Sequence, residues 1–180
     1  FNVYYPSAQS MASVAFEDLW PSKGDYDLND VVVDYQYHAV TNGDNAIKDL
    51  NAKYKLRAAG GVFKTGFSVI LPFTKSGIVL NSGSNTIGLE AESNAAILKV
   101  FSNSKTLIGT YNTLADKPFV NTDTIYARMT LNSPETATLG TFNPFIYIDE
   151  PGKGRGYEVH LPGKAPSSLA NTAIFGTSSD

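Results

Sequence analysis

The sequence predicts an all-β protein: an antiparallel β-sandwich, Greek-key or jelly-roll-like, with long loops. Three features predict this fold. Apolar and polar residues alternate with a period of two in many short segments, turn-forming residues separate those segments, and helical periodicity is scarce. Eight or more such strands are typical of sandwiches and barrels. Because the chain has 180 residues, 42% of them hydrophobic, we expect one domain over residues 1–180 with its own core.

The predicted strands follow one another along the whole chain. In residues 31–37, Val and Tyr at odd positions alternate with Val, Asp and Gln at even positions. In residues 51–58, Ala, Tyr and Leu alternate with Asn, Lys and Arg, which is typical of a half-buried antiparallel strand. The strand Phe67–Leu71 is expected to stop at Pro72. Further strands are predicted at Thr86–Leu89, Ile97–Phe101, Ile125–Leu131, Phe145–Ile148 and Tyr157–Leu161, and one short helix at Ser167–Ala173.

Composition excludes several function classes. Only 17% of residues are charged, the net charge is -3, and there is no basic run, so nucleic acid is not an expected partner. No apolar stretch approaches the roughly 20 residues that a membrane-spanning helix needs. Cysteine is absent, which excludes disulfides, thiolate metal sites and cysteine nucleophiles. A domain without disulfides that works outside the cell often uses a metal for stability, which makes acidic loops worth close attention.

The most informative segment is residues 15–35, which contain six carboxylates and the amide of Asn29. Calcium binds six to eight oxygens, at about 2.3–2.6 Å, from carboxylates, amides and backbone carbonyls. Asp25, Asp27 and Asn29 are two residues apart, and in a curled loop this spacing turns alternate oxygens toward one centre. We therefore predict a calcium ion bound by Asp25, Asp27, Asn29 and Asp30, with Glu17 and Asp18 near the site and able to complete its shell.

The acidic segment begins like an EF-hand loop and then departs from it. Position six is Asp30 instead of Gly, position twelve is Gln36 instead of Glu, and a β-branched strand follows instead of a helix. The alternative to a metal site is a set of solvated turn residues, because Asp and Asn side chains often bond nearby backbone amides. The density of acids in a chain with little charge elsewhere favours the metal.

Two blocks of the sequence resemble the LruC-domain family of bacterial surface and lipoprotein modules. The first is FEDLWP at residues 16–21 followed by GDYDLNDVVVDY at residues 24–35. The second joins NPFI at residues 143–146 with GYEVHLPG at residues 156–163. The first block is also similar, more distantly, to a calcium-associated domain of bacterial exoproteins. Where the family favours Phe, this chain has Leu28, an exchange that should leave a metal shell unaffected.

The resemblance implies a β-rich fold and no established activity. It also implies export to the cell surface or outer membrane of a Gram-negative bacterium, with a lipid anchor upstream of this chain. Family members usually continue past a block like residues 167–176 into another acidic and aromatic segment. The resemblance therefore implies that the domain is truncated at the C-terminal end of this sequence.

The predicted role is an exported, calcium-stabilised surface module that binds a glycan or a surface protein in an adhesion-like way, and no catalytic residue is predicted. A carbohydrate-active hydrolase is a less favoured alternative, and a structural spacer is another. A hydrolase would need two carboxylates about 5–5.5 Å or about 6.5–9.5 Å apart. Its acids could come from Glu17, Asp25, Asp149 and Glu158, and Trp20, Tyr26 and Tyr157 could stack on sugars.

His38 and His160 are the only histidines of the chain, and each lies on the polar side of a predicted strand. A histidine pair with an acid could bind zinc or exchange protons. The two are far apart in the sequence, and isolated strand histidines are usually surface or hydrogen-bonding residues. We therefore expect no joint site from them.

Overall fold

Two antiparallel sheets face each other in the computed structural model, which describes residues 1–150 and 153–174. The prediction of an all-β sandwich is confirmed. The larger sheet contains β1 (Asn2–Tyr5), β2 (Ala12–Phe16), β3 (Val31–Thr41), β4 (Ile47–Ala58), β6 (Ile78–Gly83) and β9 (Ile125–Glu135). The smaller sheet contains β5 (Thr65–Thr74), β7 (Gly88–Leu89), β8 (Ala95–Phe101), β10 (Asn143–Ile148) and β11 (Glu158–His160).

The order of the strands in each sheet determines which strands lie at its edges and which loops connect the two sheets. The larger sheet runs β1-β3-β4-β9-β6. Both β1 and β2 pair with β3, β1 with its C-terminal part and β2 with its N-terminal part. The smaller sheet runs β11-β10-β5-β8-β7. The chain crosses between sheets after β4, β5, β6, β8 and β9, so neighbouring strands are mostly distant in sequence. The acidic segment becomes the connection between β2 and β3.

The core lies between the sheets and is rich in aromatic rings. Phe67 of β5 is fully buried, and its ring centroid lies 5.9 Å from Tyr54, 6.3 Å from Phe16 and 5.7 Å from Phe101. These rings join both sheets, and aromatic pairs of this kind each add about 0.5–1.5 kcal/mol beyond their buried area. Phe16, the last residue of β2, therefore fixes the start of the acidic loop against the core.

The period-two pattern correctly assigned faces in the larger sheet. Val33 and Tyr37 of β3 are buried, as are Leu50 and Tyr54 of β4. The intervening side chains of β4 point away from the core because successive residues of a strand face opposite sides. In β10, by contrast, residues on both faces are buried, because Arg155 packs over the outward rings of Phe145 and Tyr147, and His160 stacks on Phe145.

The predicted stop at Pro72 is wrong, because β5 continues to Thr74. The β10 ladder ends where Ile70 pairs with Asn143, and the β8 ladder is irregular between Ile70 and Thr74. Pro72 therefore lies where neither neighbouring strand needs a backbone N–H from it, which is the setting in which a strand tolerates proline.

The predicted helix at Ser167–Ala173 is also wrong. The backbone N–H and the hydroxyl of Ser167 both donate to the buried Glu158 carboxylate, so a turn forms there instead. Among the described residues, the helical elements are 3-10 turns at Lys75–Gly77, Ser104–Thr106, Leu139–Thr141 and Thr172–Ile174. None of the helices described is long and apolar enough to span a membrane. The sequence predicts a truncation at the C-terminal end of the chain. Residues 175–180, which form that end, lie outside the residues that the structure describes.

Three strands carried no clear sequence signal: β1, β2 and β6. Their alternation is short, and pairing with β3 or β9 defines them. Gln36 is on the outward side of β3, as predicted, but is buried. Its amide donates to the carbonyls of Ser7, Ala8 and Ser10, so the β1–β2 connection covers it.

Candidate functional site

The acidic loop occupies the connection between two hydrogen-bonded strands. Phe16 at the end of β2 pairs with Val31 at the start of β3, so the residues next to them meet at the mouth of this hairpin. The backbone N–H of Asp18 donates to the Asp30 carboxylate over 2.8 Å. Strand pairing thus brings together acids that are twelve residues apart in the sequence.

The loop curls because two of its residues adopt left-handed backbone conformations. Tyr26 has φ of 59° and Leu28 has φ of 54°, values uncommon for residues other than glycine. Glu17 supports this conformation, because its carboxylate accepts hydrogen bonds from the backbone N–H groups of both residues. The left-handed residues alternate with Asp25 and Asp27, so the two aspartates lie on the same side of the curl.

Three of the six predicted ligands converge in this curl. Carboxylate oxygens of Glu17, Asp25 and Asp27 all lie within 4.8 Å of one another. Oxygens that share a calcium ion at about 2.4 Å can be at most about 4.8 Å apart, so this separation is compatible with a common ion. Burial raises the pKa of Glu17, and the charges of Asp30 and Asp25 add to that effect. The cluster therefore has mutual repulsion that a cation would relieve.

Asp18 and Asp30 form a second group beside the first. Asp18 is only 4% exposed, and its Oδ2 has no hydrogen-bond partner among the described residues. Burial and the neighbouring Asp30 carboxylate raise the pKa of Asp18 to about 7. Burial likewise raises the pKa of Asp30, with a further contribution from the charges of Asp25 and Asp27. The two acid groups are thus electrostatically linked.

Asn29 joins the loop to the turn that follows β4. Its side-chain amide donates to the Asp27 carboxylate, and its backbone carbonyl accepts from Gly60 over 3.0 Å. A Cβ atom on Gly60 would lie 1.9 Å from Asn29 Oδ1, so the backbone approaches closely here. The structure therefore places Asn29 as a bridge between Asp27 and the glycine turn. Its side-chain oxygen faces Gly60.

Lys105 was not identified from the sequence and is a partly buried cation close enough to Asp18 and Asp30 for their charges to act on it. It belongs to the 3-10 turn Ser104–Thr106, and its Nζ donates to the carbonyls of Ala59 and Gly61. Burial lowers the pKa of Lys105, while the charges of Asp18 and Asp30 act in the opposite direction. Lys105, Lys153, whose charge acts on Asp18, and Lys23 of the loop are fewer than the five carboxylates, so the acidic loop keeps a net negative charge.

A largely apolar groove of about 490 Å³ lies beside the acidic loop, between β2 and β11. Trp20 and Leu28 are about half exposed at its rim, and Pro162 and Leu161 line the other side. Because Leu28 is part of the curled loop, the conformation of the loop determines the shape of this groove. Glu17 is shared by the groove and the carboxylate cluster.

A buried ionic network forms the polar part of the groove near β11. Glu158 is fully buried and accepts hydrogen bonds from Arg155, His160 and Ser167, and Arg155 also contacts Glu90 over 2.9 Å. Burial alone would raise the pKa of Glu158, but hydrogen bonds from His160, Ser167 and Arg155 lower it to about 2. A general acid in a glycosidase needs a raised pKa, so Glu158 does not suit that role.

The two histidines do not meet. His38 lies in the larger sheet, where it bonds to Asn2 over 2.8 Å, and His160 lies in the smaller sheet, where it bonds to Asn143 over 3.0 Å. Each histidine has its own hydrogen-bond partners, and they belong to different sheets. The expectation of no joint histidine site agrees with this arrangement.

A family model described as a domain of unknown function, DUF4842, matches residues 45–180, which is more than half of the chain. The chain belongs to the DUF4842 family. The matched region of this DUF4842 chain contains β4, the Glu158 network and Lys105, whereas the carboxylates of the acidic loop precede it. The resemblance to the LruC family rests partly on that loop, and the family match does not establish the LruC name.

The fold of this DUF4842 chain is similar to a solved structure described as a "putative lipoprotein" from Bacteroides ovatus. The TM-score is 0.59 at 16% sequence identity, with 93% of this chain and 57% of the other chain covered. The chain thus spans little more than half the length of that protein. At this identity the similarity establishes the fold. No curated protein matches the chain.

Proposed function

We propose that this chain is an exported module of the bacterial cell surface whose acidic loop binds a calcium ion, and that the module binds a glycan or a protein. The observation that carries the proposal is the convergence of the Glu17, Asp25 and Asp27 carboxylates within 4.8 Å of one another. Calcium would stabilise the fold and would not take part in a reaction.

The donor chemistry favours calcium over other metals. All side chains of the loop that could coordinate a metal offer oxygen, the ligand that calcium prefers, and zinc would favour imidazole or thiolate. Asp18 adds a buried oxygen beside the three convergent carboxylates, and this oxygen has no hydrogen-bond partner in the described part of the chain. Glu17, Asp25 and Asp27 would hold the ion, and Asp18, Asn29 and Asp30 would complete or support its shell.

Binding would add to the stability of the folded chain because the unfolded chain lacks the curled loop. An ion that binds only the folded state at one hundred times its Kd contributes about 2.7 kcal/mol. For a domain of this size, that corresponds to a rise in Tm of roughly 5–10 °C. The ion would also hold Leu28 at the rim of the groove.

Export is supported by three observations. The low charge and the absence of cysteine are compatible with an extracellular domain. The fold is similar to that of a "putative lipoprotein". The two sequence blocks resemble LruC modules, and we propose membership of that group within the DUF4842 family. A lipid anchor upstream of the chain and a Gram-negative outer-membrane location belong to the same proposal.

A thermal melt tests the calcium site. We expect calcium to raise Tm relative to an EGTA-treated sample, and we expect Asp27→Asn to remove most of that rise. Asp116→Asn is the matched control, because Asp116 is an exposed aspartate paired with Lys117 elsewhere on the surface. An equal calcium effect in all three proteins, or no effect in the wild type, would contradict the proposal.

A further inference from the structure

The outer face of the larger sheet carries a compact patch of four side chains on β4 and β9. Lys53 lies directly opposite Tyr126, and Asn51 lies directly opposite Arg128. Residues two apart on a strand share a face, so these four point outward together, with the two cations on a diagonal. Tyr126 is 44% exposed, and both cations are exposed.

The patch lies in a shallow depression of about 590 Å³. Its floor between the larger side chains is sheet backbone, including that of Ala52 and Ala127, whose side chains face the core. His38, opposite Asn51 on β3, closes one side. A linear polymer could lie along such an open depression, whereas a small ligand would find little enclosure.

The side of the depression next to β1 is held rigid. The ring of His38 stacks on Tyr4, with centroids 4.3 Å apart and planes 8° apart. The same imidazole bonds to Asn2 over 2.8 Å and to Asn51 over 3.3 Å. This network holds the Asn51 amide nitrogen against His38 and fixes the orientation of the side chain.

The cations of the patch form no ion pair with the described residues. Within residues 1–150 and 153–174, neither Lys53 nor Arg128 has a carboxylate oxygen within 4.0 Å, although the chain as a whole has a net charge of -3. Lys55, on the same face of β4, lies opposite Asp34 and adds a third positive charge. The patch is therefore positively charged on an acidic protein.

The cations of this face outnumber its acids. Asp34 pairs with Arg57 over 2.6 Å, and Asp49 accepts the hydroxyl of Thr130 over 2.7 Å and keeps its charge. Lys53, Lys55 and Arg128 therefore leave an excess of positive charge. The patch thus has the charge complement of an anionic ligand.

We propose that this patch, which includes Lys53, Tyr126 and Arg128, is the binding surface for an acidic polysaccharide that carries carboxylate groups. The inference rests on the proposed function and deepens it by naming the ligand class and the surface. Arg128 matches a carboxylate through paired N–H donors, and Lys53 adds a point charge. Tyr126 offers a ring face for stacking on a sugar, and Asn51 can bond to hydroxyl groups.

The groove beside the acidic loop is less suited to this ligand. Its lining is largely apolar, and the polar side chains near β11 already bond to one another. The patch differs from the groove because its cations, next to an exposed aromatic ring, form no ion pair with any residue that the structure describes. It also lies on the outer face of the larger sheet and does not include the carboxylates that are proposed to bind calcium. The ligand and the calcium ion would therefore occupy different sites.

Calorimetric titration with a hyaluronan octasaccharide tests the proposal. The neutral control is the same oligosaccharide with its carboxylates reduced to alcohols. We expect binding of the acidic form at least tenfold tighter than the neutral form, and weakening as salt increases. A DNA duplex of similar charge serves as a polyanion that carries phosphates instead of carboxylates.

The variants Arg128→Gln and Lys53→Gln should each weaken binding at least fivefold. Tyr126→Ala should also weaken it, and Tyr126→Phe should restore it, because the ring alone is needed for stacking. Lys99→Gln removes a positive charge from the outer face of the smaller sheet and should bind like the wild type. Thermal melts of each variant confirm that the fold is intact.

Each outcome has a defined meaning. Hyaluronan binding that is weakened by the patch variants and not by Lys99→Gln supports the proposal. Equal binding by all variants, or DNA bound as tightly as hyaluronan, overturns the patch as a carbohydrate site and leaves the calcium proposal standing. Absence of hyaluronan binding also overturns it. The calcium-dependent melt fails or succeeds independently of all these results.

Discussion

Glu17 accepts a hydrogen bond from the backbone N–H of Leu28, eleven residues further along the chain. The same carboxylate accepts from Tyr26, so one side chain holds both left-handed residues of the acidic loop. Glu17 therefore has a positioning role that does not depend on an ion. Asp27 is exposed and is suited to a ligand role.

This division of roles predicts different effects for two substitutions. Glu17→Ala should destabilise the protein by roughly 2–3 kcal/mol even with EGTA present, because two hydrogen bonds to a buried charged acceptor are lost. Asp27→Asn should change stability in EGTA by less than about 1 kcal/mol, because the site is at the surface. Urea unfolding in EGTA measures both. Equal losses in the two variants would show that Glu17 does not hold the loop.

Gly61 gives a second test of the loop. A Cβ atom there would lie 2.2 Å from Asp18 Oδ2 and 2.9 Å from Asp30 Oδ1, so Gly61→Ala must displace these carboxylates. We expect a loss of about 1–3 kcal/mol and less than half of the calcium-induced rise in Tm. Gly43→Ala is the control, because its Cβ would meet nothing within 4 Å. An unchanged calcium response in Gly61→Ala would remove the Asp18–Asp30 pair from the site.

A substitution in the Glu158 network should reduce stability strongly, although Glu158 is far from the acidic loop in the sequence. Glu158→Gln removes the negative partner of a partly buried arginine and weakens the bonds from His160 and Ser167. Breaking a buried ion pair typically destabilises by about 3–5 kcal/mol, and Glu90 retains part of the pairing, so we expect roughly 2–4 kcal/mol. Chemical denaturation compares it with Glu92→Gln, an exposed glutamate that should be neutral. Similar stability of the two variants would contradict a structural role for the network.

The same carboxylate predicts a pH dependence with a defined sign. The folded pKa of Glu158 is about 2, below the 4.5 of an unperturbed glutamate. A group whose folded pKa is lowered stabilises the fold above its unfolded pKa, and this stability is lost as pH falls from about 4.5 through about 2. The difference is worth roughly 3 kcal/mol. The stability gap between wild type and Glu158→Gln should therefore shrink over this range; a constant gap would contradict the assignment.

The parts of the fold that sequence could predict are those with one buried face. In β3, β4 and β9, the core-facing and solvent-facing sides differ in chemistry, so alternation revealed the strands and their faces. β1 and β2 are short, and their place depends on pairing with β3, so local pattern gave no clear signal. The prediction of a strand end at Pro72 was wrong because a strand tolerates proline where the neighbouring ladders end, and the sequence does not show where that is.

The geometry of the acidic loop was predictable in part, whereas calcium binding there stays a prediction. The spacing of Asp25 and Asp27 on the chain indicated a curled acidic loop, and Glu17 meets them because β2 and β3 pair. Lys105 lies 44 residues from the Gly61 carbonyl that it contacts, so no local pattern could link it to the loop. The separation of Asp18 and Asp30 from the other three acids likewise depends on the glycine turn after β4.

The most direct test of a calcium site in the acidic loop is calorimetric titration of EGTA-treated, dialysed protein with calcium chloride. We expect saturable binding of one ion per chain, retained in Asp116→Asn and lost in Asp27→Asn. Absence of heat and saturation in the wild type, or the same stoichiometry and affinity in Asp27→Asn, would contradict a calcium ion held by these carboxylates.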